Sequence, residues 1–126
     1  MTRLRDRTLA LIVGCAVGAA IVSAVHASAK LPGFTIAEIE VTDPQAFQTF
    51  AKMNIEQING AGGRFLAQRG RIVAQSGEAP KSVTLIAWDS LDQATAYFNS
   101  LPFKELQPLR DKAAKVRNFH VEGVAR

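Results

Sequence analysis

The stretch Ser82-Val-Thr-Leu-Ile-Ala-Trp88 narrows the folds open to this chain more than any other. It is short, β-branched and apolar at nearly every position, with polar loop residues on either side. That pattern predicts a strand. A half-solvated strand alternates apolar and polar side chains, because successive residues point to opposite faces of the sheet. This one presents apolar side chains to both faces. Helices packed on one side supply only half of the cover it needs.

The flanking segments predict what surrounds it. Phe34-Thr-Ile-Ala-Glu-Ile-Glu-Val41 reads as a first strand. Thr42-Asp43-Pro44 stops it and starts a helix: Asp43 can accept from the first free amides, and Pro44 suits the first helical position, where its missing N–H is not needed. Phe47, Phe50, Ala51, Asn54 and Ile58 then recur on one helical face. Asn59-Gly60 ends the helix and Ala61-Gly62-Gly63 turns the chain. A second strand is expected over Arg64–Arg69, with a bulge at Gly70 and a continuation over Arg71–Gln75. Ser90-Leu-Asp-Gln93 has the form of a capping box and opens a second helix through Asn99. Ser100-Leu-Pro102 breaks it. Residues 103–116 are helical in character, with Pro108 expected to kink or divide them. A closing strand is expected over Arg117–Gly123.

The order strand–helix–strand–strand–helix–strand is the split βαβ pattern. It predicts an α+β, ferredoxin-like βαββαβ fold with a four-stranded antiparallel sheet and the helices on one face. A second copy of the same sheet is the economical cover for the other face, so a homodimer is expected.

The first 29 residues carry an address. Arg3, Arg5 and Arg7 precede an uncharged run from Thr8 to Val25, and Ala27-Ser28-Ala29 supplies small residues for cleavage. This is the order of a signal peptide, and it predicts a periplasmic or secreted protein. Two alternatives stand beside it: an uncleaved anchor over residues 8–25, and a lipoprotein processed at Cys15. The expected division is therefore 1–29 as signal and 30–126 as one domain. Cleavage leaves 97 residues with 12 basic and 10 acidic side chains. So small an excess, spread along the chain, argues against nucleic-acid binding. Membrane contact is expected only through the leader, if it is retained. Cleavage also removes Cys15 and His26. The remaining domain then has no thiolate for catalysis, zinc or an iron–sulfur cluster.

Ile36-Ala-Glu-Ile-Glu-Val-Thr-Asp-Pro44, then Phe47, Phe50 and Gly62-Gly63-Arg64-Phe65-Leu66, resemble the domain of unknown function 1330 family. Leu91, Ala94, Tyr97, Ser100, Phe103, Arg110, Ala113, Ala114 and a closing strand ending in Gly123 extend the resemblance over nearly all of residues 30–126. It implies a dimeric α+β barrel and almost no chemistry, since the family is named for lacking an assigned function. Members often carry tyrosines in the first helix and around the second. This chain has Phe47, Phe50, Phe98 and Phe103 there, and a phenyl ring cannot donate a proton.

Candidate contacts for a ligand are Arg64, Trp88, Tyr97, Arg110 and His120. Either arginine can hold a carboxylate bidentately, or simply complete a salt bridge with Asp43 or Glu105. Trp88 and Tyr97 can wall a binding site or fill the core. Phe119 and Val121 are expected to face the helices with Ala37, Ile39 and Val41. Glu38, Glu40, His120 and Glu122 would then share the other face, as solvated side chains, a base with partners, or a metal site. No phosphate loop, nucleophile elbow or His-Glu-x-x-His motif is present, and no cofactor or metal is expected. Three functions follow. The first is an exported protein binding an apolar or weakly acidic small molecule. The second is a cofactor-independent monooxygenase, isomerase or dehalogenase with His120 moving a proton. The third is a structural dimer module.

Overall fold

Residues 31–125 are described by the computed structural model; the expected leader, with its possible cleavage and anchoring, lies outside the described residues. The elements are β1 (Gly33–Val41), α1 (Pro44–Gly60), β2 (Arg64–Gln68), β3 (Val83–Trp88), α2 (Leu91–Phe98), α3 (Leu101–Ala113) and β4 (Ala114–Glu122). The strands lie in the order β2-β3-β1-β4, and every neighbouring pair is antiparallel. This is the ferredoxin-like α+β arrangement that the element order predicts. Among the described residues no helix is long and apolar enough to cross a membrane.

The helix starts follow their sequence signals. Asp43 accepts a hydrogen bond from the Ala46 amide at 3.1 Å, with Pro44 behind it in the first turn. Ser90 accepts from the Gln93 amide at 3.1 Å. The Gln93 side-chain oxygen accepts from the Asp89 amide rather than from Ser90's own, and its NH₂ is left to donate. It also donates to the Ala61 carbonyl at 3.0 Å, which ties the start of α2 to the end of α1. Gly62 turns the chain there at φ +94°, a conformation that side chains with a Cβ rarely adopt.

Three boundaries differ from expectation. The second strand ends at Gln68, and residues 71–75 are irregular. The irregularity in its pairing falls between Phe65 and Ala67, not at Gly70. Arg69 takes a left-handed φ of 53°, and its amide closes the ladder on the Val83 carbonyl. Beyond that rung β3 has not begun, so Arg71–Gln75 has no strand to pair with. The last helix stops at Ala113 and β4 begins at once. The Ala113 carbonyl accepts from both the Thr42 and Asp43 amides, and Ala114 pairs with Val41. These long-range bonds end the helix where no glycine marks a stop.

The last helix runs undivided through Pro108. The ring there removes one intrahelical hydrogen bond, and the residue is exposed. Pro108→Ala is therefore expected to stabilise the fold by about 1–3 kcal/mol. Thermal unfolding of the purified variant checks this as a rise in Tm.

The core lies between sheet and helices in two clusters. One gathers Ile58, Ile86, Trp88, Ala94, Tyr97 and Phe103. The other gathers Phe47, Phe50, Leu106, Ala113 and Ala114. The uncovered face of the sheet carries Phe34 and Ile36 from β1, Val83, Leu85 and Ala87 from β3, and Phe119 and Val121 from β4. Phe119 and Val121 are 43% and 47% exposed in the single chain.

Candidate functional site

The two core clusters do not merge, and a cavity lies between them, lined by members of both. Its floor explains why. Under the helices the central strands place Thr35 and Ala37 on β1, Thr84 on β3 and Asn118 on β4. These side chains are too short to reach the helices. The walls are Ile86, Phe98 and Phe103 on one side, and Phe47, Phe50, Ala51 and Ile55 on the other. The empty space is about 650 Å³ with adjoining open solvent included, and about 80 Å³ is reachable by the centre of a water molecule. A single water needs roughly 10–15 Å³ by that measure, so several fit.

The polar groups of the lining are Thr35, Asn54, Gln68, Arg69, Thr84, Arg110 and Asn118; it contains no carboxylate and no imidazole among the described residues. Gln68 and Arg69 are exposed and mark the mouth. The Arg69 guanidinium lies over the Phe47 ring, 4.9 Å from its centroid. Arg110 lies 5.6 Å from the Phe103 centroid, with its side chain only 13% exposed.

The sequence candidates divide. Arg110 lines the cavity and pairs with Asp111 at 3.0 Å, not with Asp43 or Glu105. Arg64 does not line it. Arg64 sits opposite Ala87 on β3, outside the lining, and bridges to Asp89 at 3.2 Å. Both those side chains are more than half exposed, so the bridge contributes little. Trp88 and Tyr97 stand behind the cavity wall rather than on it. Trp88 is wholly buried and stacks on Tyr97 at 5.7 Å. The Tyr97 hydroxyl contacts Asn54 Oδ1 at 2.8 Å and Gln57 at 3.1 Å, and burial pushes its pKa up to about 12, so it stays a neutral phenol.

His120 lies on the helix-covered face, the reverse of expectation. It pairs with Thr35, while Phe119 and Val121 turn to the open face. Glu38 is on that open face too, bonded to Arg117 on β4. The expected grouping of His120 with Glu38 and Glu40 is therefore not assembled. Among the described residues no cluster of three metal-ligating side chains exists. The parity was misread because both faces of this sheet are apolar, so hydrophobicity does not separate inside from outside. The place of Arg69 at this cavity is not legible for a related reason. The irregular pairing between Phe65 and Ala67, followed by the left-handed residue, breaks the alternation from which its direction would be read.

His120 ends a chain of hydrogen bonds that begins in the core. The Trp88 indole N–H donates to Thr35 Oγ1 at 2.9 Å, and Thr35 Oγ1 lies 2.9 Å from His120 Nδ1. An indole only donates, so the hydroxyl accepts from it. The imidazole meets that hydroxyl through Nδ1, which accepts when the ring hydrogen is on Nε2. Burial lowers its pKa below the ordinary 6.5. The unfolded chain then binds more protons than the folded one below pH 6.5. Stability is expected to be full above pH 6.5 and to fall as pH drops through the lower folded value. His120→Gln should flatten that limb in denaturant titrations across pH 4–7, an outcome set by the ordinary histidine range.

A family model for the domain of unknown function DUF1330 matches residues 32–124. The chain belongs to this family. No curated protein sequence matches it. Among solved structures this DUF1330 chain is similar to the RPA0582 protein of unknown function from Rhodopseudomonas palustris. The TM-score is 0.62 at 11% identity, covering 84% of this chain and 93% of that one. It is also similar to SnoaB, a cofactor-independent oxygenase from Streptomyces nogalater. There the TM-score is 0.55 at 11% identity, covering 76% of this chain and 94% of SnoaB. At such identities the likeness is one of fold.

Proposed function

We propose that this DUF1330 protein is an exported homodimer that binds a small apolar or weakly acidic molecule in the cavity between sheet and helices. The observation that carries the reading is the cavity itself: an aromatic and aliphatic pocket left unfilled between two packed clusters. The apolar open face supports the dimer, because two such sheets cover each other. Export rests on the leader sequence alone.

Filling the pocket tests the binding reading. Ala37→Ile adds volume on its floor. It is expected to stabilise the empty protein by about 0.5–2 kcal/mol and to abolish ligand uptake. A native mass spectrum of periplasmic protein checks the rest. The expected result is a dimer of the 97-residue form with discrete extra mass, and Phe119→Asp should make it monomeric. An empty monomer overturns the reading.

A second reading, a cofactor-independent enzyme, draws on the Trp88–Thr35–His120 chain beside the cavity and, by analogy of fold only, on SnoaB. His120→Ala separates the two. Catalysis requires activity to collapse with the fold intact, whereas binding requires only a modest loss of affinity. The binding reading stands first because the lining offers no base, and His120 Nδ1 is already occupied.

A further inference from the structure

We propose that the ligand is an amphipathic organic monoanion, with its acidic head group held at the cavity mouth by Arg69 and Arg110 and its apolar body among the phenylalanines. This rests on the cavity being a binding site, and it adds the chemical class.

Three observations carry it. First, the charges in the lining are of one sign: two guanidinium groups and no carboxylate. An apolar wall behind them lowers the local dielectric and strengthens their pull on an anion.

Second, each guanidinium is laid over a phenylalanine ring of the lining, Arg69 on Phe47 and Arg110 on Phe103. A cation–π contact uses the charge of the group and not its N–H hydrogens, which remain available to bond. A guanidinium with an open edge grips a carboxylate with two parallel bonds. Arg69 carries no ion pair among the described residues. Arg110 gives its Nε–Nη2 edge to Asp111, so it offers a ligand Nη1 and a partly neutralised charge, and the bidentate grip falls to Arg69.

Third, the neutral polar groups do not oppose this. Asn54, Gln68, Thr84 and Asn118 each carry both donors and acceptors. A cationic ligand meets two charges of its own sign in the lining, whereas an acid meets two opposite ones. The exposed positions of Gln68 and Arg69 set the polarity, head group outward and body inward.

The test uses two probes of nearly the same shape, 2-naphthoate and 2-naphthalenemethanol, titrated calorimetrically into the full mature protein. The acid is expected to bind at least about tenfold tighter than the alcohol, as charge-assisted hydrogen bonds require. Arg69→Gln and Arg110→Gln should each erase most of that difference by weakening the acid far more than the alcohol. Arg69 is exposed at a loop, so its variant reports on binding even if Arg110→Gln folds poorly by circular dichroism. Equal affinity for both probes, or acid binding indifferent to Arg69→Gln, overturns the head-group assignment while the apolar cavity stands. Binding of neither probe, or binding that survives Ala37→Ile, overturns the cavity reading and the head-group assignment with it.

Discussion

Trp88→Ala is expected to lower the unfolding free energy by about 3–5 kcal/mol, the range for truncating a buried aromatic residue. A domain of this size has roughly 5–15 kcal/mol in all. Trp88 is the largest wholly buried side chain. It stacks on Tyr97 and meets Phe98 edge-on at 6.4 Å. Its indole also supplies the hydrogen bond on which buried Thr35 depends. The two contributions can be separated. Trp88→Phe keeps most of the packing and removes the bond, and should forfeit about 1–2 kcal/mol. Thr35→Val leaves the indole N–H orphaned and should lose a similar amount. Urea denaturation followed by far-UV circular dichroism measures all three. A loss below about 1 kcal/mol for Trp88→Ala would mean that the cluster collapses freely around the hole.

Gly33→Ala is expected to be as damaging, by about 3 kcal/mol or more, although it adds one methyl group. Gly33 opens β1 between Trp88 and Glu122. A Cβ there would lie 2.6–2.7 Å from backbone atoms of Ser90 and Leu91, at the cap of α2. Backbone cannot swing aside as a flexible side chain does. The helix would have to retreat, and with it Ala94 and Tyr97, which it buries. Gly60→Ala is the control. Nothing lies within 4 Å of a Cβ at Gly60, so that change should be neutral or stabilising by about 0.5 kcal/mol. Denaturation midpoints of the two variants decide the matter, and similar midpoints would refute the close packing of β1 against α2.

Legibility followed the range of each signal. Asp43-Pro44 and the Ser90–Gln93 box announce helix starts because a cap is satisfied within three residues. The element order announced the antiparallel sheet, and the two-faced strand Val83–Trp88 announced its apolar uncovered face. The end of α3 was not legible, because amides of Thr42 and Asp43, far back in the chain, decide it. Nor was the site. Of its candidates only Arg110 lines the cavity. The second arginine there, Arg69, comes from a turn whose direction depends on an irregular strand pairing.

The local pattern of this sequence determined the elements, their order and the ferredoxin-like class, since caps, turns and periodicity act over a few residues. Tertiary structure alone decided which face of β4 looks inward. A register is a relation between strands, and on a sheet apolar on both sides neither choice is written in one strand's composition. That choice put His120 beneath the helices and Phe119 on the open face. Tertiary structure also decided that the short floor of Thr35, Ala37, Thr84 and Asn118 stays unfilled, because a cavity belongs to the space between elements rather than to any one of them.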